Sequence, residues 1–292
     1  MIALLPQLLV SGISTGMLYA LIALSMTVAY RATTVVNFGH GDMVAAGAYA
    51  VFMFGLGFGM AFPLALALAI AVLFAGGFAM QRLLLQPIIA GPHLSLAMMA
   101  LAVGYALRGV LRLEWGNETI NPTRPYPQNA FMFGTVVVTT DDIVICGAVL
   151  LLLAALFVLL QATTLGKVIQ AVFQSQRGAA LVGVNVPLFH ALMWGGGVAL
   201  GAIGGVLLGM ITPLTPDIGQ WTLVQGFAAM TLGGFGSLGG AVAGGLLLGI
   251  TEKLLGFYVS TVFIEITGYL VPILVLLLRP QGLFGRRTVV RV

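Results

Sequence analysis

TTLGKVIQAVFQSQRGAALVGVNVP, residues 163 to 187, is the longest stretch after residue 142 that a membrane would reject. It holds Lys167 and Arg177, four glutamines or asparagines and no acidic residue. As a helix it sets Lys167, Gln170, Gln174 and Arg177 at spacings of three, four and three, with Val168, Ile169, Val172 and Phe173 on the opposite side. Ser175 to Gly178 can bend it, Ala179 to Val182 gives a second short turn, and Gly183 followed by Pro187 stops it. Taken alone, such an amphipathic segment between two apolar runs suits a helix lying in the lipid interface.

What surrounds it is membrane protein. The chain has 292 residues, of which 60% are hydrophobic and 7% charged, and its mean hydropathy is +1.11; soluble domains carry about 25% charged residues. Apolar runs recur at lengths near the roughly 20 residues that cross a hydrocarbon core as a helix, without the alternation of a membrane barrel. We therefore expect an all-α polytopic fold, one transmembrane domain over 1–292. Forty glycines imply closely approaching helices. The net charge of +4 comes from basic residues in short loops and near the C-terminus, so it reports topology and not nucleic-acid binding. Cys146 is alone, which excludes an internal disulfide. The start, MIALLPQLLVSG, lacks a basic region before its apolar stretch and reads as a first membrane helix.

In chain order the expected spans are 2–30, a segment from 37 to about 59 with a polar head, 63–80, 94–113, 142–160 and 188–211. Arg108 and Arg112, near the end of the fourth, must reach the interface or a polar cavity. The hydrophilic segment 114–141 carries more acid than base and is expected outside, as a periplasmic loop. That puts the basic segment 163–187 in the cytoplasm. Gly197, Gly201, Gly205 and Gly209 repeat at four-residue intervals, a packing signature to which Gly236, Gly240 and Gly244 are added further on.

The segment 223–257 poses a parity problem. If it were one crossing, the last span, roughly 262–278, would deliver Arg279, Arg286, Arg287 and Arg291 to the outside, against the positive-inside tendency. GGFGSLGG, residues 233 to 240, resolves it by splitting the segment into two short spans or a re-entrant pair, so the C-terminus is expected inside. About eight spans result, with breaks near 37–42 and 233–240; the side of the N-terminus stays open.

The chain has no phosphate-binding GxxxxGK[ST] loop, and its three histidines lie in separate segments without metal-ligand spacing. Neither an ATPase, nor another enzyme, nor a metal site is expected. Asn37, His40, Gly41 and Asp42 are the candidates for chemistry. Ionisable groups at membrane depth mark a pathway, yet the same residues could simply cap the second helical segment, with Asn37 accepting from free amides and Asp42 complementing the helix dipole.

Several pieces together resemble the LivH-type permeases of branched-chain amino acid ABC transporters: SGISTGMLYALIALSMTVAYRATTVVNFGHGDMVAAGAY, then TTLGKVIQAVFQSQRGAALVGVNV, then FAAMTLGGFGSLGGAVAGGLLLGITE with LLLRPQGLFG. The resemblance implies an inner-membrane subunit that pairs with a second, related permease, two cytoplasmic ATPase subunits that carry ATP and magnesium, and a periplasmic binding protein, with no cofactor on this chain. It further implies that 163–187 is the coupling segment on which the ATPase docks, through Gly166, Lys167, Ala171, Arg177, Ala180, Gly183 and Asn185, with Phe173 on the docking apolar side. Asp42 stands where such motifs often have glutamate and Gln170 where a base is common, which leaves a urea or short-amide permease as an alternative substrate class. A self-sufficient secondary transporter is the alternative of another kind.

Overall fold

The computed structural model describes residues 4–122, 124–279 and 281–285. Arg286, Arg287 and Arg291, which weighed in the expected position of the C-terminus, lie outside them. The described chain is almost wholly helical: α1 (Leu5–Thr33), α2 (His40–Phe52), α3 (Phe62–Ala79), α4 (His93–Trp115), α5 (Thr140–Ala162), α6 (Thr164–Gln174), α7 (Gln176–Leu181), α8 (Val186–Ile211), α9 (Ile218–Gly233), α10 (Leu238–Tyr258) and α11 (Val262–Leu278). A small antiparallel hairpin, β1 (Ala130–Phe133) and β2 (Val136–Thr139), lies in the 114–141 loop. By length and composition α1, α3, α4, α5, α8 and α10 can cross a membrane, whereas α11 has 17 residues and α2 and α9 are shorter still. This is an all-α polytopic membrane fold.

Local signals start many of these helices where the sequence supplies a cap. Thr139 accepts from the amide of Asp142 in a reciprocal capping box that opens α5. Thr163, Ser175, Asn185 and Ser237 accept the corresponding amides of α6, α7, α8 and α10. Each such cap stabilises its helix by about 1 kcal/mol.

The bundle is built around α1, α8 and α10, where glycine lets backbones touch. A methyl group at Gly16 would lie 2.8 Å from the Cα of Leu246 on α10, and one at Gly197 of α8 would lie 2.8 Å from the carbonyl of Ser25 on α1. Gly205 presses on the carbonyl of Val44 in α2, Gly201 on the His40 ring, Gly209 on Leu214, Gly240 on Gly233 and Gly244 on Ala229 of α9. Among the expected packing glycines Gly236 differs. It is uncrowded, and its φ of 78°, like the 95° of Gly234, serves the turn between α9 and α10.

Two ends of the bundle can be told apart. Gln7 at the start of α1 exchanges hydrogen bonds with the backbone of Val137 in β2, so α1 starts at the end that carries the 114–141 loop. At that end the loop also pairs with the segment after α8, through the Ile120 to Leu214 bridge. The opposite end holds α6 and α7, the close of α1 and the α9–α10 turn, where Phe235 packs on Tyr30 at 5.5 Å. The chain after α11 returns there too, its Leu283 and Phe284 amides donating to the carbonyls of Leu232 and Gly233. The 233–240 break is thus a turn at the bundle end between two helices. The other end of α9 is set against α2 through the buried Gly219.

Candidate functional site

The residues from Thr34 to Gly39 leave α1 and run back into the bundle without helical structure, so that α2 starts in the interior. His40 is fully buried opposite Ser25, eight residues or about 12 Å short of the α1 terminus. The Ser25 hydroxyl donates its only proton to the carbonyl of Ile22 at 2.6 Å, and therefore accepts from His40 Nε2–H, also at 2.6 Å. That fixes the tautomer and leaves His40 Nδ1 as an unpartnered acceptor. Asn37 turns its side-chain oxygen onto the amide of Gly39 at 3.1 Å, satisfying a backbone group that the break has freed.

Asp42 does not cap α2. Its carboxylate is taken by Arg108 of α4, with Nη2 at 2.7 Å and Nε at 2.8 Å from Oδ1, and both side chains are buried, at 9% and 4% exposure for arginine and aspartate. The pair holds α2 against α4 where Gly39 and Gly104 bring the two backbones together; a methyl group on Gly104 would lie 2.6 Å from the Cα of Gly39. On the other flank Gly41 touches the carbonyl of Gly219 in the first turn of α9. The starts of α2 and α9 therefore meet inside the bundle. At the start of α9, Asp217 lies 3.8 Å from Arg108 and accepts from Arg112 at 2.6 and 2.8 Å. The sequence marked Arg108 and Arg112 as needing a polar environment, but nothing in it named Asp42 and Asp217, 66 and 105 residues away, as their partners.

The second candidate region is the basic loop. Lys167, Ala171, Arg177, Ala180, Gly183 and Asn185 are exposed, and Gly166 is buried with its Cα against the carbonyls of Leu159 and Leu160. Gly183 ends α7 at a φ of 90°, and Asn185 caps α8. The apolar side is divided, with Ile169 and Phe173 half-buried and Leu165 and Val168 left exposed. Val172 is buried with Ala32, Ala179 and Phe189, and Phe173 packs on the Phe189 ring at 5.8 Å beneath the Arg31 guanidinium, 4.1 Å from its centroid. α1 and α8 offer an apolar surface at this end, which covers Val172 and part of Ile169 and Phe173. Two polar ties fix the loop further: Gln170 donates to the Leu160 carbonyl at 2.6 Å and Gln176 to that of Ala32 at 2.9 Å. Barest of all is the tip, where Leu181 and Val182 are 88% and 79% exposed.

Among the described residues no group of three or more His, Cys, Asp or Glu could hold a metal ion.

A solved structure, PsaBC from Streptococcus pneumoniae in complex with Fab, overlaps 92% of this chain and 89% of its own at a TM-score of 0.47 and 14% identity. The curated relatives are much nearer. The high-affinity branched-chain amino acid transport system permease protein BraD of Pseudomonas aeruginosa is 31% identical over 98% of this chain and 97% of its own length. LivH of Escherichia coli, which carries the same description, is 30% identical with the same coverage. The model of the branched-chain amino acid transport system permease component family matches residues 8–279, and the chain belongs to that family.

Proposed function

We propose that this chain is a permease subunit of a binding-protein-dependent importer that moves branched-chain or other hydrophobic amino acids across a bacterial inner membrane. It works with a second, related permease, two cytoplasmic ATPase subunits that hold ATP and magnesium, and a periplasmic binding protein. Family membership supports the transport role. The observation that carries the division of labour is the basic α6–α7 loop, anchored to α1, α5 and α8 on one side and offering the bare Leu181–Val182 tip on the other.

In this reading the loop is cytoplasmic, the described end of the chain shares its side, and the N-terminus and the 114–141 loop face the periplasm. The ATPase contacts the exposed face of the loop, namely Lys167, Ala171, Arg177 and Ala180, and receives the apolar tip. Movement of the docked ATPase is passed inward by Gly166, which sits on the end of α5, and by Gln176, which is tied to the end of α1. Helices packed through glycine move as rigid bodies. The junction of α2 with α9 is then the element whose two arrangements open the path to either side.

The test is co-expression with the ATPases and the binding protein. The expected result is a stable complex whose ATP hydrolysis rises when binding protein and a branched-chain amino acid are added together. Stimulation by urea or short amides in place of the amino acid would move the substrate to that class. A chain that never associates with an ATPase would refute the reading.

A secondary transporter is favoured by one feature, the meeting of two helix starts beside paired charges. Transport by the purified chain alone, driven by an ion gradient, would establish it.

A further inference from the structure

The hairpin in the 114–141 loop carries no charge. From Pro125 to Thr140 the sequence reads PYPQNAFMFGTVVVTT, although Glu114, Glu118, Arg124 and Asp141 lie on either side of it. Its two strands are unequal. Val136, Val137 and Val138 of β2 are half-buried, whereas Phe131, Met132 and Phe133 of β1 are 43%, 78% and 69% exposed. β2 is held to the bundle by Gln7, whose side-chain oxygen accepts from the Val137 amide at 2.7 Å and whose nitrogen donates to the Val137 carbonyl at 3.1 Å. The Gln7 amide thus stands where a third strand would. Since Val137 turns both backbone groups toward Gln7, Met132, directly opposite in the register, turns both of its own away from β2. β1 is therefore an open edge with three large apolar side chains in a row.

We propose that this hairpin is an interfacial anchor whose partner is the lipid surface itself: Phe131, Met132 and Phe133 enter the boundary between headgroups and acyl chains in the leaflet on the hairpin's own side. The membrane fold alone supports this, independently of the importer reading. Two markers set the level. The feet of the hairpin stand at the start of α5, where Thr139 caps the helix and the Thr140 amide and hydroxyl bond to the backbone of Asn129. From Ile143 to Leu160 α5 is an unbroken apolar run about 27 Å long, which matches a hydrocarbon core about 30 Å thick and puts Ile143 at its edge. On the other flank α1 runs inward from its start, so the exposed Leu4 and Leu5 lie further out than Gln7, which holds the middle of β2. Below the hairpin the exposed apolar surface continues through Leu9 and Ile13 of α1 and Ile143 of α5. The chemistry bounds the depth from both directions. Aromatic side chains favour the membrane–water interface, and an open strand edge needs hydrogen-bonding neighbours that hydrocarbon lacks. A soluble partner that docks and departs would leave the three side chains in water between encounters, whereas lipid covers them throughout. So anchored, the hairpin sets the depth at which α1 and α5 start.

The experiment is spin-label accessibility on the full chain in phospholipid nanodiscs. Cys146→Ser removes the one native thiol, so a nitroxide can be placed singly at Thr135→Cys in the hairpin turn, with Phe131, Met132 and Phe133 intact. Its collisions with oxygen, which concentrates in lipid, are compared with its collisions with a water-soluble nickel chelate. Glu118→Cys in the same loop and Leu151→Cys on the exposed face of α5 give the aqueous and the hydrocarbon references. The oxygen-to-nickel ratio at Thr135→Cys is expected severalfold above that at Glu118→Cys and below that at Leu151→Cys. Phe131→Ser, Met132→Ser and Phe133→Ser together are expected to bring it down to the Glu118→Cys level, while the ratio at Leu151→Cys stays where it was, showing that the bundle still spans the bilayer. A ratio at Thr135→Cys equal to that at Glu118→Cys with the native hairpin overturns the proposal, as does a ratio that the triple substitution leaves unmoved. It fails as well if, in the assembled complex, the label is open to nickel until binding protein is added and shielded afterwards, since the hairpin would then be a protein-docking surface.

Discussion

Asp42 and Arg108 illustrate what a buried charge does for this protein. Removing one partner leaves the other desolvated, so Arg108→Met is expected to destabilise the chain by about 3–5 kcal/mol. Pairing it with Asp42→Leu replaces both ions by apolar groups and is expected to recover most of that loss. Thermal unfolding of the detergent-solubilised protein checks both, and equal melting of single and double variants would contradict the account. Gly205 makes a complementary case. A side chain there meets the backbone carbonyl of Val44, which cannot rotate away, so Gly205→Leu is expected to lower stability by about 1–3 kcal/mol in the same assay. At this scale the sequence was uneven. The glycine spacing of α8 announced close packing, and the unfavourable placement of Arg108 and Arg112 announced a polar site. The partners stayed hidden because an ion pair between distant segments leaves no local pattern.

The α6–α7 loop was legible as an amphipathic, basic, bent helix, since cap, period and stop residues are all local. Which neighbour covers its apolar face was not, because periodicity gives a face without saying what lies beyond it. Phe173 therefore belongs to the anchor that ties the loop to α8, and Leu181 and Val182 belong to the free tip. Leu181→Asp is expected to leave the melting temperature of the isolated chain within the change caused by ordinary surface substitutions, about 0.5 kcal/mol, while weakening co-purification with the ATPase. Gly166→Trp is expected to do the opposite: the indole collides with the last turn of α5, so the loop shifts and hydrolysis loses its response to binding protein even where the complex still assembles. Co-purification yield and stimulated hydrolysis, measured on the two variants side by side, separate docking from coupling. The start of α9 lay beyond the sequence reading for a similar reason. Residues 212–217 resemble any short polar turn, and only the contact of Gly219 with Gly41 sets the helix start after them against α2.

For the whole molecule, the number of crossings matters less than the arrangement of ends. The 114–141 loop and the first residues of α1 share one end; α6, α7, the α9–α10 turn and the last described residues share the other. A transporter needs a path between those ends that closes at one place, and in the proposed reading that place is the meeting of α2 and α9 at Gly41 and Gly219, beside the charge pairs. The most direct test of the central claim is uptake of a radiolabelled branched-chain amino acid into liposomes containing this chain, its companion permease and the ATPases, with binding protein outside and ATP inside. The account predicts uptake that requires both ATP and binding protein, and that vanishes when the chain is reconstituted alone. Uptake by the chain alone, driven by a proton or sodium gradient and indifferent to ATP, would contradict it.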